Sequence, residues 1–506
     1  MARTTCCRPS PPLRRGPHVV KGGRSKAPLG RALAGDGRLL NGRRGACVLR
    51  WQRSVLGTSV PLMVRMTRRR ALALASSSLA LCCLGAAPPP EIDVQTHTLR
   101  NGLTVLLSRD SRLPVVAVEV RYMVGSAHER EGRSGFAHLF EHLMFQGSKN
   151  YDDEYFKPFE KIGGSVNGTT NTDRTNYFER VPREYLELAL WMESDRMESL
   201  LDALTQAKLD NQRDVVKNER RQRYENTPYG MVWKYFHNNL YPKGHPYHHT
   251  TIGSHEDLTA ATLDDVKEFF RTHYVPSNAI VTIVGDIEPK ATLALVEKYF
   301  GHLPPGERTP MPKATLPEAK KEHLVEKDDV KLPRIYLAWH TPALYEKGDA
   351  EMDVLASVLS DGKTSRLYKP LVYDKKVAKD VSAFQVSRAL GSMFVVQATV
   401  APGGSVAELA KELDAALRAA LATPPTEDEM LRAVNGWRKS FYGRVESVLS
   451  RAQLLSTYFH LAGKADYVAA DLARYTAMKS ADVAKAANDY IHLDRPLRID
   501  IVPEGQ

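Results

Sequence analysis

No cysteine follows Cys83, and all five in the 506-residue chain (Cys6, Cys7, Cys47, Cys82 and Cys83) lie at or before it. Beyond that point there is no thiol nucleophile, no thiolate metal ligand and no disulfide framework. A basic tract is missing as well. Residues 1–70 carry 15 Arg and 2 Lys against one Asp, so they account for the whole net charge of +11 and leave the remainder at −5. A mildly acidic body without basic runs interleaved with aromatics excludes nucleic acid as a partner. The apolar run Ala71–Leu84 is short for a stable membrane span.

What the N-terminal region does contain reads as a targeting signal. From Met66 the order is Met-Thr-Arg-Arg-Arg, the apolar run Ala71–Leu84, then Gly85-Ala86-Ala87 and three prolines. That is the charged start, apolar middle and small-residue exit of an export signal over residues 66–90, with a faint twin-arginine flavour at Thr67-Arg68-Arg69. Residues 1–65, rich in Arg, Gly and Pro, read as an over-called start or a targeting extension. The expected location is therefore exported, periplasmic or extracellular. A mitochondrial transit peptide is the alternative, although Gly and Pro would spoil its amphipathic helix.

A chain of this length is too long for one ordinary core and is expected to hold two domains. The proline-rich stretch Leu303–Pro317 has linker composition, which divides the rest into residues 91–302, a linker at 303–323, and residues 324–506. The two parts echo each other. Leu113-Pro114 corresponds to Leu332-Pro333, Thr205–Glu225 parallels Thr426–Glu446, and Asp265-Val266 followed by Ala279–Val284 parallels Asp482-Val483 followed by Leu497–Val502. Strands are expected at Thr98–Leu107, broken at Asn101-Gly102, and at Val115–Val124, with an extended segment over Gly163–Tyr177. Helices are expected at Ser134–Phe145 with Ser134 as N-cap, at Arg183–Leu204 and at Gln206–Tyr224. Consecutive strands with clustered helices argue for α+β: two tandem homologous domains, each a largely antiparallel sheet with packed helices.

Within the first part, His138-Leu-Phe-Glu141-His142 sets two imidazoles at i and i+4, one turn apart on one helical face, within reach of one ion. Glu141 stands beside that face, free to act as a base. Zn2+ suits two imidazoles plus a carboxylate with an open fourth position. Surface helices also carry His and Glu without any metal, so the neighbouring residues decide the matter.

Those neighbours resemble the pitrilysin and insulinase family of inverted zincins, whose motif is His-x-x-Glu-His. The resemblance runs along nearly all of residues 92–506. It includes Gly125-Ser126 with Glu129, Phe145-Gln-Gly147, Gly163-Gly164-x-x-Asn167-x-x-Thr170, and Asp173, Thr175 and Tyr177. It implies His138, His142 and Glu219 as zinc ligands, with 76 residues intervening between His142 and Glu219 and Glu219 on a helix, and Glu141 as catalytic base. The strand carrying Asn167 is implied to be an open edge on which an extended peptide lies, paired through its backbone. Many relatives have a second Glu seven residues before the ligand Glu; here that neighbouring position is Gln212.

In the second part the duplication sets Ser440 opposite Glu219, and Asp353–Leu359 contains no His, so no zinc is expected there. The resemblance implies instead an Arg and a Tyr seven apart that hold substrate, matched by Arg451 and Tyr458. It also implies pairing into a homodimer or a heterodimer with a related subunit. The expected activity is that of a zinc metalloendopeptidase acting on extended peptides or unfolded segments. The alternative is a non-catalytic assembly or scaffold subunit of the same family.

Overall fold

The computed structural model describes residues 91–318 and 321–505. The extension, export signal and proline hinge read from residues 1–90 lie outside them. Eleven strands among the described residues form two sheets. The first is built from β1 (Gln95–Thr98), β2 (Thr104–Arg109), β3 (Val115–Tyr122), β4 (Ser165–Thr170), β5 (Thr175–Pro182) and β6 (Ala279–Gly285), in the order β1-β2-β6-β3-β5-β4. The second is built from β7 (Glu322–Asp328), β8 (Arg334–Thr341), β9 (Ala378–Val386), β10 (Ser392–Val400) and β11 (Leu497–Pro503), in the order β7-β11-β8-β10-β9. In each sheet one pair is parallel, β2 with β6 and β7 with β11, and the rest are antiparallel. The second sheet thus repeats the first without β1, as the residue offsets suggested, and the class is α+β.

The period-2 alternation of the strands decides what covers each face. On β3, Val116, Val118, Val120 and Tyr122 point to one side, where they join Leu139, Phe140 and Leu143 of helix α1 (Phe136–Leu143) and Leu190 of α2 (Leu186–Ala203) in one core. Helices α3 (Gln206–Arg220) and α4 (Leu263–His273) flank α1; α3 packs on it directly, and Phe269 of α4 stacks on Phe140 with centroids 5.0 Å apart. The intervening side of β3, with Ala117 and the following Met123, meets residues of the second half. These are Phe441 and Val445 of α5 (Glu427–Glu446) and Ala452, Leu454 and Leu455 of α6 (Val448–Thr457).

The exchange is reciprocal. One face of the second sheet, with Tyr336, Ala338, Val395 and Ile499, packs against Val232, Phe236, Leu240 and Tyr241 from the first half. Each half therefore completes the other's core, a feature that no single stretch of sequence displays. Among the described residues no helix is long and apolar enough to cross a membrane.

Candidate metal centre

Helix α1 begins differently from the expected Ser134 cap. Its N-cap is Gly135, held at φ 91°, a left-handed conformation that glycine adopts without strain, while the Ser134 N–H and hydroxyl donate to Asp257. The free N–H groups of the first turn go to Glu129 instead: its carboxylate accepts from Gly135 N (2.9 Å) and Ala137 N (2.8 Å). His249 Nε2 lies 2.8 Å from the same carboxylate. A buried anion at a helix N-terminus satisfies orphan donors and complements the dipole, so the turn that carries His138 is held from below.

The two imidazoles project from α1 toward α3. His138 and His142 have ring centroids 4.8 Å apart, and Glu219 Oε2 lies 3.7 Å from His138 Nε2 and 3.2 Å from His142 Nε2. One ligand atom from each residue falls within 4.8 Å of the others. Two imidazole nitrogens and a carboxylate oxygen at such separations suit a tetrahedral ion with a position left for solvent or substrate.

The protonation states fit as well, since a metal requires neutral imidazole and ionised carboxylate. Burial, reinforced by His142, pushes His138 down to about 3. Burial pushes the Glu219 carboxyl up, but the His142 hydrogen bond and the charges of His138, His142 and Arg223 outweigh it and hold the group at about 2. Arg223 Nη1 lies 2.7 Å from Glu219 Oε1, the oxygen turned away from the imidazoles. Gln212 is buried on α3, two turns before Glu219 on the same side.

Glu141 is fully buried and belongs to a different set of contacts. Its Oε2 accepts from Thr170 Oγ1 at 2.7 Å, which ties it to the end of β4. Burial pushes its carboxyl above the ordinary range, against the lowering effects of His142 and Thr170. A Cβ added at Gly168 would sit 3.1 Å from Glu141 Cγ and equally close to the Phe145 and Tyr177 rings, so the backbone of β4 passes directly beside this carboxylate.

β4 is the edge of its sheet, and the hydrogen bond from Asn171 N to Arg174 O (3.0 Å) sets the alternation of its pairing with β5. Hydrogen-bonded pairs then fall at Thr169 with Asn176 and at Asn167 with Phe178. Gly168 and Thr170 turn their backbone N–H and C=O outward. Asn167, half-exposed on this strand, accepts the Gly168 N–H with its own Oδ1 at 2.9 Å.

Arg451 and Tyr458 are not brought to this cluster. Both belong to the layer on the other face of the first sheet, where α6 lies across β3. Arg451 Nη2 is 3.0 Å from Asp110 Oδ2 and its Nε donates to Val445 O at 2.6 Å; Tyr458 donates to Asp471 Oδ2 at 2.7 Å. A spacing of seven puts both on one helical face, but the sheet stands between that face and the imidazoles. Sequence reading gave no role to Glu129, Thr170 or Arg223. Only Arg223 carried a local signal, its i+4 relation to Glu219.

Two sheets of like topology, with a His-x-x-Glu-His helix facing a carboxylate and a free strand edge, define the architecture of an inverted-motif metallopeptidase. Residues 104–253 match the family model described as "Insulinase (Peptidase family M16)", and residues 260–436 match "Peptidase M16 inactive domain". The chain is 32% identical over 429 residues to "Zinc protease PqqE" of Helicobacter pylori, covering 82% of this chain and 95% of that protein. It is 28% identical over 212 residues to "Probable mitochondrial-processing peptidase subunit beta" of Schizosaccharomyces pombe, covering 42% of this chain and 46% of that one. The solved structure of "a protease from Helicobacter pylori" superposes with a TM-score of 0.76 at 30% identity, covering 82% of this chain and all of that one. The chain belongs to the insulinase family, peptidase family M16.

Proposed function

We propose that this chain is a zinc metalloendopeptidase that hydrolyses peptide bonds in extended peptides or unfolded segments. The observation that carries the reading is the position of Glu141, beside the donor cluster, outside its ligand set, and hydrogen-bonded to the free edge strand. Zinc, when bound by His138, His142 and Glu219, supplies Lewis acidity that polarises a carbonyl and acidifies water. A peptide pairing with the outward groups of Gly168 and Thr170 extends the sheet and displaces the Asn167 Oδ1 from the Gly168 N–H. Its backbone then runs past the Glu141 carboxylate. Glu141 accepts a proton from the attacking water and returns it to the leaving amine, while Thr170 holds the carboxylate in place. Names of relatives support zinc and proteolysis, and the buried donor set supports the metal.

We further propose that the chain is exported and works as a pair with a second copy or a related subunit. Within one chain, the second half covers the face of the first sheet opposite α1, so the wall across the peptide edge would come from another chain. Sedimentation of purified protein should show a dimer; a monomer at working concentration refutes pairing.

The test of the chemistry is Glu141→Gln, assayed for zinc content and for cleavage of a quenched peptide library. Zinc and peptide binding should persist while turnover falls by roughly 10²–10⁴-fold or more. Unchanged turnover refutes the role of Glu141, and a wild-type protein that binds zinc and cleaves nothing supports a scaffold subunit instead.

A further inference from the structure

The face of the first sheet turned away from α1 carries a group of cations that the proposed chemistry does not use. Arg121 on β3 donates through Nη2 to Glu119 Oε1 (3.3 Å), Gln453 O (3.1 Å) and Thr457 Oγ1 (2.8 Å). Glu119 is also held by Asn176 Nδ2, which donates to Oε1 at 2.5 Å, and by Ser456, which donates to Oε2. Arg174, at the β4–β5 turn, donates through Nη1 to both Thr169 O and Thr169 Oγ1 at 2.5 Å. Arg308, exposed to solvent, reaches Met123 Sδ at 3.5 Å, and Met123 follows Arg121 on the same side of the strand. His460 lies one turn beyond Thr457.

Arg121, Arg174 and Arg308 thus share this face with one carboxylate, Glu119, which is already bonded to Arg121, Asn176 and Ser456. Among the described residues Arg121 Nε, His460 Nδ1 and His128 Nε2 are buried with no hydrogen-bond partner. Buried polar atoms are normally satisfied, and unpartnered polar nitrogens gathered beside guanidiniums suit an anion. Burial, with Arg121, Arg308, His128 and Arg174 all bearing on it, pushes the His460 imidazole well down, which places these groups about one point.

The location relates this cluster to the peptide edge. Arg174 is bonded to Thr169, which lies between Gly168 and Thr170, whose backbone groups face outward. A strand added at that edge must alternate its side chains between the two faces of the sheet. One set faces α1 and the other faces the side of Thr169, Arg174 and Arg121. We propose that this cationic group receives an acidic side chain of the bound peptide, at a position that faces Thr169 and Arg174. The inference rests on the reading of β4 as the edge that binds peptide.

The experiment uses the Glu141→Gln protein loaded with zinc, so that binding is read without cleavage. Fluorescently labelled, C-terminally amidated peptides carry a single Asp, Ala or Lys moved stepwise along an otherwise neutral sequence, and dissociation constants are read by anisotropy. Asp should bind about fivefold more tightly than Ala at one position on that face, as one partly exposed charge pair would provide, and Lys should bind more weakly there. The difference should shrink as salt is raised. Arg308→Glu, a change at an exposed residue, should reverse the order of Asp and Lys.

Equal constants for Asp and Ala at every position overturn the acidic preference and leave the peptide edge standing. A gain confined to free-acid peptides assigns the cations to a terminal carboxylate and overturns the side-chain proposal. Failure of every peptide to bind, whatever its charge, overturns the edge reading and this inference together.

Discussion

Removal of the Glu129 carboxylate should loosen the metal without touching a ligand. In Glu129→Ala the N–H groups of Gly135 and Ala137 lose their acceptor, and His249 loses its ion pair, in a place where the Glu129 side chain has no solvent exposure. Each bond from a backbone N–H to a buried carboxylate is worth about 1.5–3 kcal/mol, but partial relaxation and water entry recover some of it. A net loss of about 2–4 kcal/mol is expected, comparable to a strong helix cap plus its dipole contribution. Because Ala137 precedes His138, the loosened turn carries the first imidazole with it. Zinc affinity should drop by about 10–100-fold, as for other groups that orient ligands from behind.

Competition with a chromophoric chelator measures the affinity, and thermal unfolding with and without zinc measures the stability. A third readout isolates the contact itself: burial presses the His249 imidazole down, but the Glu129 hydrogen bond and charge overcome this and keep it above its ordinary value. In the variant it should titrate lower by NMR. Wild-type zinc affinity together with an unchanged melting temperature would refute the idea that Glu129 holds the metal helix.

Two further predictions follow from groups away from the centre. Arg451→Ala should cost about 1–3 kcal/mol of stability, through loss of its Asp110 and Val445 bonds, while zinc content stays full; loss of zinc with unchanged unfolding would contradict its placement. Asp353 is pushed up to about 7 by burial and by Asp349, so its protonated form is the one the fold favours. With the folded value above the unfolded one, its stabilising contribution is complete below the ordinary carboxyl range and is lost as pH rises through about 7. This amounts to a few kcal/mol, on the order of 4, across that window. Asp353→Asn keeps an acceptor for the Tyr475 hydroxyl and should flatten the dependence of melting temperature on pH; an unchanged slope between pH 5 and 8 refutes it.

The sequence by itself determined the two imidazole donors, the fold class and the duplication. Ligation chemistry needs residue types at helical spacing, and His138, Glu141 and His142 declare that spacing within five residues. Offsets near 219 between the halves reappear as one strand order used twice, because a repeated hydrophobic pattern folds to a repeated topology. Glu219 was within reach of the sequence only through the resemblance, since nothing local ties it to a helix so far upstream.

Tertiary structure decided which face each residue meets. Arg451 and Tyr458 share a helical face, as their spacing requires, yet α6 lies on the far side of the first sheet, and strand alternation leaves no path from there to the imidazoles. Ser134 has the chemistry of a cap, but Asp257 takes it, and a glycine with left-handed backbone opens the helix while Glu129 supplies the acceptor from outside. Contacts of this kind join residues far apart in the chain through the pairing of strands and the docking of one half on the other. Their partners are selected by distance in space, which residue type and periodicity do not encode.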